Sequence, residues 1–110
     1  MSKMSREKGK RGEREVASLL RSFGYETSRG QQFHGGPDSP DVVGLPGIHI
    51  EVKRTEKFSL YEALEQSKRD SGKDETPIVI HRRNGKPWVV CIELCRFMEL
   101  YSKGERYEKK

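Results

Sequence analysis

The sequence predicts an α/β fold, in which helices pack on a five-stranded mixed β-sheet. Two patterns support this fold class. Apolar residues recur at helical spacing in three segments and alternate with polar residues in others, as strands do. One helical segment lies between two strand segments in the middle of the chain, as in a right-handed crossover between parallel strands. The resulting element order is α-β-β-β-α-β-β-α.

The composition is that of one small, basic domain. A chain of 110 residues has a common size for a single domain, which we assign to residues 1–110. Charged residues make up 35% and hydrophobic residues 32%, so we expect a lean core and an ionic surface. The net charge of +5 favours a polyanionic partner, with nucleic acid ahead of an anionic membrane. No apolar stretch suits a membrane span or a signal peptide, so we expect a cytoplasmic protein.

The first helix is predicted from its apolar spacing. Residues 1–8 lack an apolar period and are expected to form a flexible basic arm. From about Gly12 the pattern is helical, and Gly24 is a natural end. The apolar positions at i, i+3, i+4 and i+7 are Val16, Leu19, Leu20 and Phe23. Residues 25–28 are then predicted as a short strand, and residues 29–39 as a glycine-rich polar loop.

A β-hairpin is predicted around the Leu-Pro-Gly turn at residues 45–47. If this is a three-residue loop whose glycine is left-handed, Gly44 lies opposite Ile48. The same register sets Asp41 opposite Glu51, with Cβ atoms about 4.5–5.5 Å apart. A shift of one residue would instead place the two acids on opposite faces of the sheet.

The second half of the chain supplies the remaining elements. A capping box at residues 59–62 predicts a helix that starts near Leu60 and ends by Ser71. The Asn84-Gly85 pair predicts a tight turn between two strands. The strands are residues 76–81 and 88–92, a closing helix starts near Leu94, and residues 102–110 form a charged tail.

The hairpin acids predict a cation site. Two carboxylates held opposite each other repel unless a positive charge lies between them. A hard cation such as Mg²⁺ suits this position, because one or two carboxylates with water and phosphate complete its coordination. Lys53 projects from the same strand face as Glu51 and adds a fixed positive charge. The alternative is that Glu51 and Lys53 are solvent-facing charges on an edge strand.

Two motifs support a family resemblance over residues 8–92. Pro40-Asp41 followed by Glu51-Val52-Lys53 resembles the PD-(D/E)xK nuclease motif. The segment Lys-Gly-Lys-Arg-Gly-Glu-Arg-Glu at residues 8–15 precedes an amphipathic helix. Together they are similar to the archaeal-type Holliday junction resolvases and their phage relatives. The resemblance implies a restriction-endonuclease-like core for the five-stranded sheet.

The resemblance also implies roles for the motif residues. Asp41, Glu51 and the backbone carbonyl of Val52 would bind Mg²⁺ or Mn²⁺, and Lys53 would orient the nucleophile. Glu13, on or beside the buried stripe of the first helix, would bind a second ion or its water. The alternative for Glu13 is an ordinary first-turn acid favoured by the helix dipole.

Further residues are candidates for contacts with DNA or with the reacting groups. Basic side chains flank the motifs and are expected to contact phosphates, although each alone is also consistent with a solvated surface. They are Lys8, Lys10, Arg11, Arg14, Arg29, Arg54, Lys57, Lys68 and Arg69. Gln66 is a candidate polar residue of the middle helix that approaches the site. Ser28 and Ser39 are candidates for the serine that the family carries, and His34 for a nucleic-acid contact.

The predicted activity is metal-dependent hydrolysis of DNA phosphodiesters in four-way junctions, by paired nicks. The resemblance implies a symmetric homodimer, with apolar residues such as Phe97, Met98 and Tyr101 at its interface, and no small-molecule cofactor. One alternative is a nicking or repair nuclease of the same superfamily that acts on flaps or duplex DNA. An alternative of another class is a DNA-binding protein without catalysis.

Overall fold

A computed structural model of the protein describes the backbone of residues 3–30 and 39–108, and the side chains of residues 7–30 and 39–105. The predicted element order is confirmed. The elements are α1 (Lys3–Arg21), β1 (Ser28–Arg29), β2 (Val42–Val43), β3 (Ile48–Arg54), α2 (Leu60–Asp70), β4 (Thr76–Arg82), β5 (Val89–Cys91) and α3 (Leu94–Glu108).

The five strands form one mixed sheet in the order β1-β2-β3-β4-β5. Strands β3 and β4 are parallel, and the other neighbours are antiparallel. Helix α2 connects the two parallel strands, because a parallel pair needs a crossover and cannot be joined by a tight turn. The predicted α/β fold with a five-stranded mixed sheet is therefore confirmed.

The predicted hairpin register is also confirmed. Val42 pairs with Ile50, which is the register that a loop at residues 45–47 sets. Gly47 has a φ of 79°, the left-handed conformation that glycine adopts without a steric penalty. Asp41 and Glu51 therefore lie at opposing positions of neighbouring strands.

Helices cover both faces of the sheet centre. On one face, Val16 and Ala17 of α1 pack against Ile50 and Val52. On the other, the Ala63 and Leu64 side chains of α2 pack against Val79. Strand β3 is thus a central strand, and the alternative of an exposed edge strand is wrong.

The sequence pattern misplaced the start of α1 and the position of β1. Helix α1 begins at Lys3, because its first turns are rich in charged residues of good helix propensity, although their sequence has no apolar residues at helical spacing. Strand β1 is shifted from residues 25–28 to Ser28–Arg29. Thr27 is tied to the helix instead, since its hydroxyl donates to the Ala17 carbonyl at 2.7 Å. None of the helices among the described residues is long and apolar enough to cross a membrane.

Candidate active site

Backbone contacts fix Asp41 between β1 and β3. Its amide donates to the Ile50 carbonyl at 2.9 Å, and its carbonyl accepts from the Gly30 amide at 2.8 Å. A Cβ at residue 30 would lie 2.0 Å from the Pro40 carbonyl oxygen, so only glycine permits this approach. The Val52 amide donates to Oδ2 of Asp41 at 2.8 Å, which directs the carboxyl toward β3.

Glu51 lies in the centre of the sheet and is almost fully buried, with 3% of its surface exposed. Its Oε1 is 2.8 Å from Nε2 of His49, which precedes it by two residues on the same strand face. The two carboxyls lie close enough to interact electrostatically, because after burial the negative charge of Glu51 is the next cause of the raised pKa of Asp41. The two acids from neighbouring strands therefore converge.

The electrostatics of this pair favour a positive charge between them. Burial, followed by the negative charge of Glu51, raises the pKa of Asp41 to about 7. Burial is also the main reason that the pKa of Glu51 is raised. Two adjacent carboxyls in a low-dielectric site do not both ionise readily, so a cation between them would stabilise the ionised pair.

Lys53 follows Glu51 on the same strand and reaches toward α2. Its Nζ donates to Oε1 of Gln66 at 3.3 Å, so the candidate glutamine of the middle helix does reach the site. Nδ1 of His81 lies 2.9 Å from the Lys53 carbonyl oxygen, and the His81 ring stacks on Phe58 at 3.9 Å. A groove of about 210 Å³ is lined by Lys53, Gln66, Phe58 and Lys57.

Glu13 lies beside the carboxyl pair but binds an arginine. Nε of Arg29 donates to its Oε1 at 2.9 Å. Burial raises the pKa of Glu13, the hydrogen bond from Arg29 lowers it, and the charge of Asp41 raises it. The alternative that Glu13 is a first-turn acid is wrong, because α1 begins at Lys3 and has no acidic residue in its first turn.

The donor set fits a hard divalent cation held by few protein ligands. Asp41 and Glu51 supply two carboxylates, and the negative charge of Glu51 acts on Asp41. The Val52 carbonyl points to the same strand edge as its amide, which faces Asp41. Among the described residues, no three or more His, Cys, Asp or Glu side chains are grouped so that together they could hold a metal ion. Mg²⁺ needs no such group, because it retains waters and uses one or two carboxylates.

Several of the basic residues are paired with acids on the surface. Lys8 lies 4.0 Å from Glu56, Lys10 lies 4.0 Å from Glu7, and Lys68 lies 3.2 Å from Glu93. Nε of Arg54 is 3.5 Å from Glu15, which also lies 3.6 Å from Arg82. The lysine pairs are at least partly exposed, so they contribute little stability and can exchange partners. The Arg54 side chain is only 15% exposed.

The remaining residues predicted to contact DNA or the reacting groups differ in their exposure. Arg11, Arg14, Lys57 and Arg69 are exposed. Ser28 is exposed on β1, where it pairs with Val43. Ser39 is half-buried before Asp41, and His34 lies outside the described residues.

Two residues near the acids were not among the predicted site residues. His49 is fully buried and contacts Glu51, and its place two residues before Glu51 on one strand face was visible in the sequence. Asp70, at the end of α2, raises the pKa of Glu51 through its negative charge. No local pattern could reveal Asp70, because its position depends on how α2 packs on the sheet.

Comparison with known proteins gave one family match. A family model described as archaeal Holliday junction resolvase (Hjc) matches residues 4–91. This match covers α1, the hairpin acids, Lys53 and the crossover to β4. No curated protein matches the sequence.

Proposed function

The chain belongs to the archaeal Holliday junction resolvase family, and on this premise we propose that it is a metal-dependent endonuclease that resolves four-way DNA junctions by paired nicks. The observation that carries the proposal is the convergence of Asp41 and Glu51 next to Lys53. The PD-(D/E)xK motif supplies the two acids and the lysine. The hairpin register sets Asp41 opposite Glu51.

Asp41, Glu51 and the Val52 carbonyl would hold Mg²⁺ or Mn²⁺. A bound divalent ion would lower the pKa of a coordinated water and stabilise negative charge on the phosphate. Glu51 is 3% exposed on the central strand β3, so its carboxylate would be held in a largely buried setting. The Val52 amide would keep Asp41 oriented through its hydrogen bond to Oδ2.

Lys53 would orient the nucleophile and neutralise charge that develops on the phosphate. Gln66 supports this role, because its hydrogen bond holds the ammonium group toward the α2 side of the groove. Glu13 would act through a second ion or its water, and Arg29 would hold its carboxylate in place. Arg29 is also free to contact a phosphate if DNA displaces this pairing.

The basic surface would contact the DNA backbone. Lys57 lines the groove beside Lys53, which supports a phosphate contact there. The other proposed contacts are Lys8, Lys10, Arg11, Arg14, Arg29, Arg54, Lys68 and Arg69. Phosphate contacts position a protein without reading sequence, so we expect recognition of junction structure rather than base sequence.

We also propose a homodimer, because a four-way junction has two equivalent strands to nick. Helix α3 exposes an apolar row, and no other element among the described residues packs extensively against it. Phe97, Met98 and Tyr101 each expose about half of their surface, and Phe97 stacks on Tyr101 at 6.2 Å. Such a row is typical of a face that a partner covers. Sedimentation of the wild type and of a Phe97→Lys variant tests this.

Cleavage of labelled DNA tests the function. The protein is incubated with a four-way junction, a flap and a plain duplex, each with Mg²⁺ or with EDTA. Symmetric nicks in the junction alone, only with Mg²⁺, are the expected result. Similar cutting of all three substrates would favour a general repair or nicking nuclease. Tight junction binding without cutting in any metal would favour the non-catalytic DNA-binding alternative.

A further inference from the structure

The buried ring of His49 is placed to hold the Glu51 carboxylate. Both side chains project from the same face of β3, because they are two residues apart on one strand. Nε2 of His49 lies 2.8 Å from Oε1 of Glu51, which is a good hydrogen-bond distance. The His49 residue is completely buried and Glu51 is 3% exposed, so water cannot readily replace this contact.

The surroundings of the ring restrict how it can turn. Strand β4 lies alongside, with Pro77 at the position that pairs with His49. Nδ1 faces Oε1 of Glu75 at 3.7 Å and has no hydrogen-bond partner among the described residues. A carboxylate oxygen therefore lies beside each nitrogen, and Nε2 has the close one.

We propose that His49 is a positioning residue, whose Nε2–H donates to Oε1 of Glu51 and leaves the other carboxylate oxygen for a divalent cation. An ionised carboxylate can only accept hydrogen bonds, so the partner nitrogen must carry the proton. The contact fixes one rotamer of Glu51 before a cation arrives. This inference rests on the proposed function, because it requires Glu51 to be a metal ligand.

The physical basis is common to metal sites in proteins. Groups that hydrogen-bond to a ligating side chain orient it, and their loss typically costs about ten- to a hundredfold in metal affinity or activity. Without a donor at this position, the buried Glu51 oxygen would lack a partner and the carboxylate would gain alternative rotamers. An apolar core role for His49 predicts neither consequence.

Two substitutions of His49 by amide side chains distinguish hydrogen-bond donation to Glu51 from simple packing in the core. The side-chain nitrogen of His49→Gln reaches the place of Nε2, and that of His49→Asn reaches only the place of Nδ1. Both variants are neutral and polar and differ by one methylene. The measurement is Mn²⁺ binding by calorimetry or electron paramagnetic resonance, on proteins whose folding is checked by circular dichroism. Asp41→Asn serves as the control that identifies the site.

We expect His49→Gln to bind Mn²⁺ nearly as the wild type does, and His49→Asn to bind about ten- to a hundredfold more weakly. Junction affinity in EDTA should be the same for both variants, because His49 is buried. Saturating Mn²⁺ should restore most of the cleavage by His49→Asn. If His49→Asn does not fold, His49→Met replaces it, since it fills the space without an N–H.

Three results would overturn the proposal. If His49→Asn, or His49→Met in its place, binds Mn²⁺ with wild-type affinity, His49 is only a core residue. The proposed nuclease function would not be affected by that result. A folded His49→Gln that binds Mn²⁺ as weakly as Glu51→Gln would show that the N–H is not what matters. If the wild type itself binds no Mn²⁺ at the Asp41 site, the metal-dependent function and this inference fail together.

Discussion

The amide of Val52 donates a hydrogen bond to Oδ2 of Asp41 at 2.8 Å. This contact joins the two halves of the motif, because Asp41 precedes β2 and Val52 lies between the acid and the lysine of β3. It directs the Asp41 carboxyl toward Glu51 and aligns the Val52 carbonyl with the same edge. The candidate metal site is thus set by backbone geometry as much as by its side chains.

The lysine should be needed for cleavage but not for metal binding. We expect Lys53→Met to lower the single-turnover rate by about a hundred- to a thousandfold, the usual effect of losing one charge-stabilising group. Its Ca²⁺ affinity should be unchanged or higher, since a neighbouring positive charge is removed. Lys103→Met on α3 is the exposed control. A Lys53→Met protein that cuts at the wild-type rate would exclude the proposed role.

The metal-free protein should lose stability as the pH rises. The folded-state pKa of Asp41 is raised from 3.8 to about 7, so its contribution is complete below the unfolded pKa and is lost as the pH rises through about 7. We expect the melting temperature in EDTA to fall between about pH 5 and about pH 8.5. Asp41→Asn should reduce this fall, because the amide does not ionise. An equal slope in both proteins would contradict the electrostatic description.

Divalent cations should stabilise the protein, and more so at high pH. Metal binding to the native state raises stability by mass action and requires deprotonated carboxylates. We expect Ca²⁺ to raise the melting temperature at about pH 8 and to have little effect at about pH 5. The shift should be absent in Glu51→Gln. A Ca²⁺ shift of the same size in that variant would place the ion elsewhere.

The position of Asp41 should depend on the absence of a side chain at residue 30. Gly30→Ala would place a Cβ 2.0 Å from the Pro40 carbonyl oxygen. We expect a loss of at least about 2 kcal/mol in the free energy of unfolding. Gly9→Ala is the matched control, because its Cβ would meet nothing within 4 Å. In the α1 helix it should instead add about 0.5–1 kcal/mol. Urea denaturation measures both, and equal stability of the two variants would refute the close approach.

The sequence predicted the hairpin acids because their relationship is local. The length of the Leu-Pro-Gly loop fixes the register, and the register places Asp41 opposite Glu51. The ends of α2 were also predicted, since Ser59 and Ser71 flank the helix as the local pattern indicated, although the Ser59 side chain makes no cap hydrogen bond. Such features follow from turn and cap chemistry without knowledge of the tertiary fold.

Contacts that cross between elements could not be predicted in this way. The helical period placed Glu13 beside the buried stripe but gave no sign that Arg29 of β1 pairs with it. Strand alternation placed His49 on the face of Glu51, yet its complete burial depends on neighbouring elements that pack around β3. The early start of α1 could not be predicted, because the sequence of its first turns has no apolar residues at helical spacing.

The most direct test of the central claim is cleavage and binding of a labelled four-way junction by the wild type, Asp41→Asn and Glu51→Gln. In Mg²⁺ the wild type should make symmetric nicks. Each variant should cut roughly a thousandfold more slowly, since metal-supplied charge stabilisation amounts to several kcal/mol. Both should bind the junction nearly as the wild type does, and Asp74→Asn, an exposed change, should cut normally. Wild-type cleavage rates in either acid variant would contradict the account.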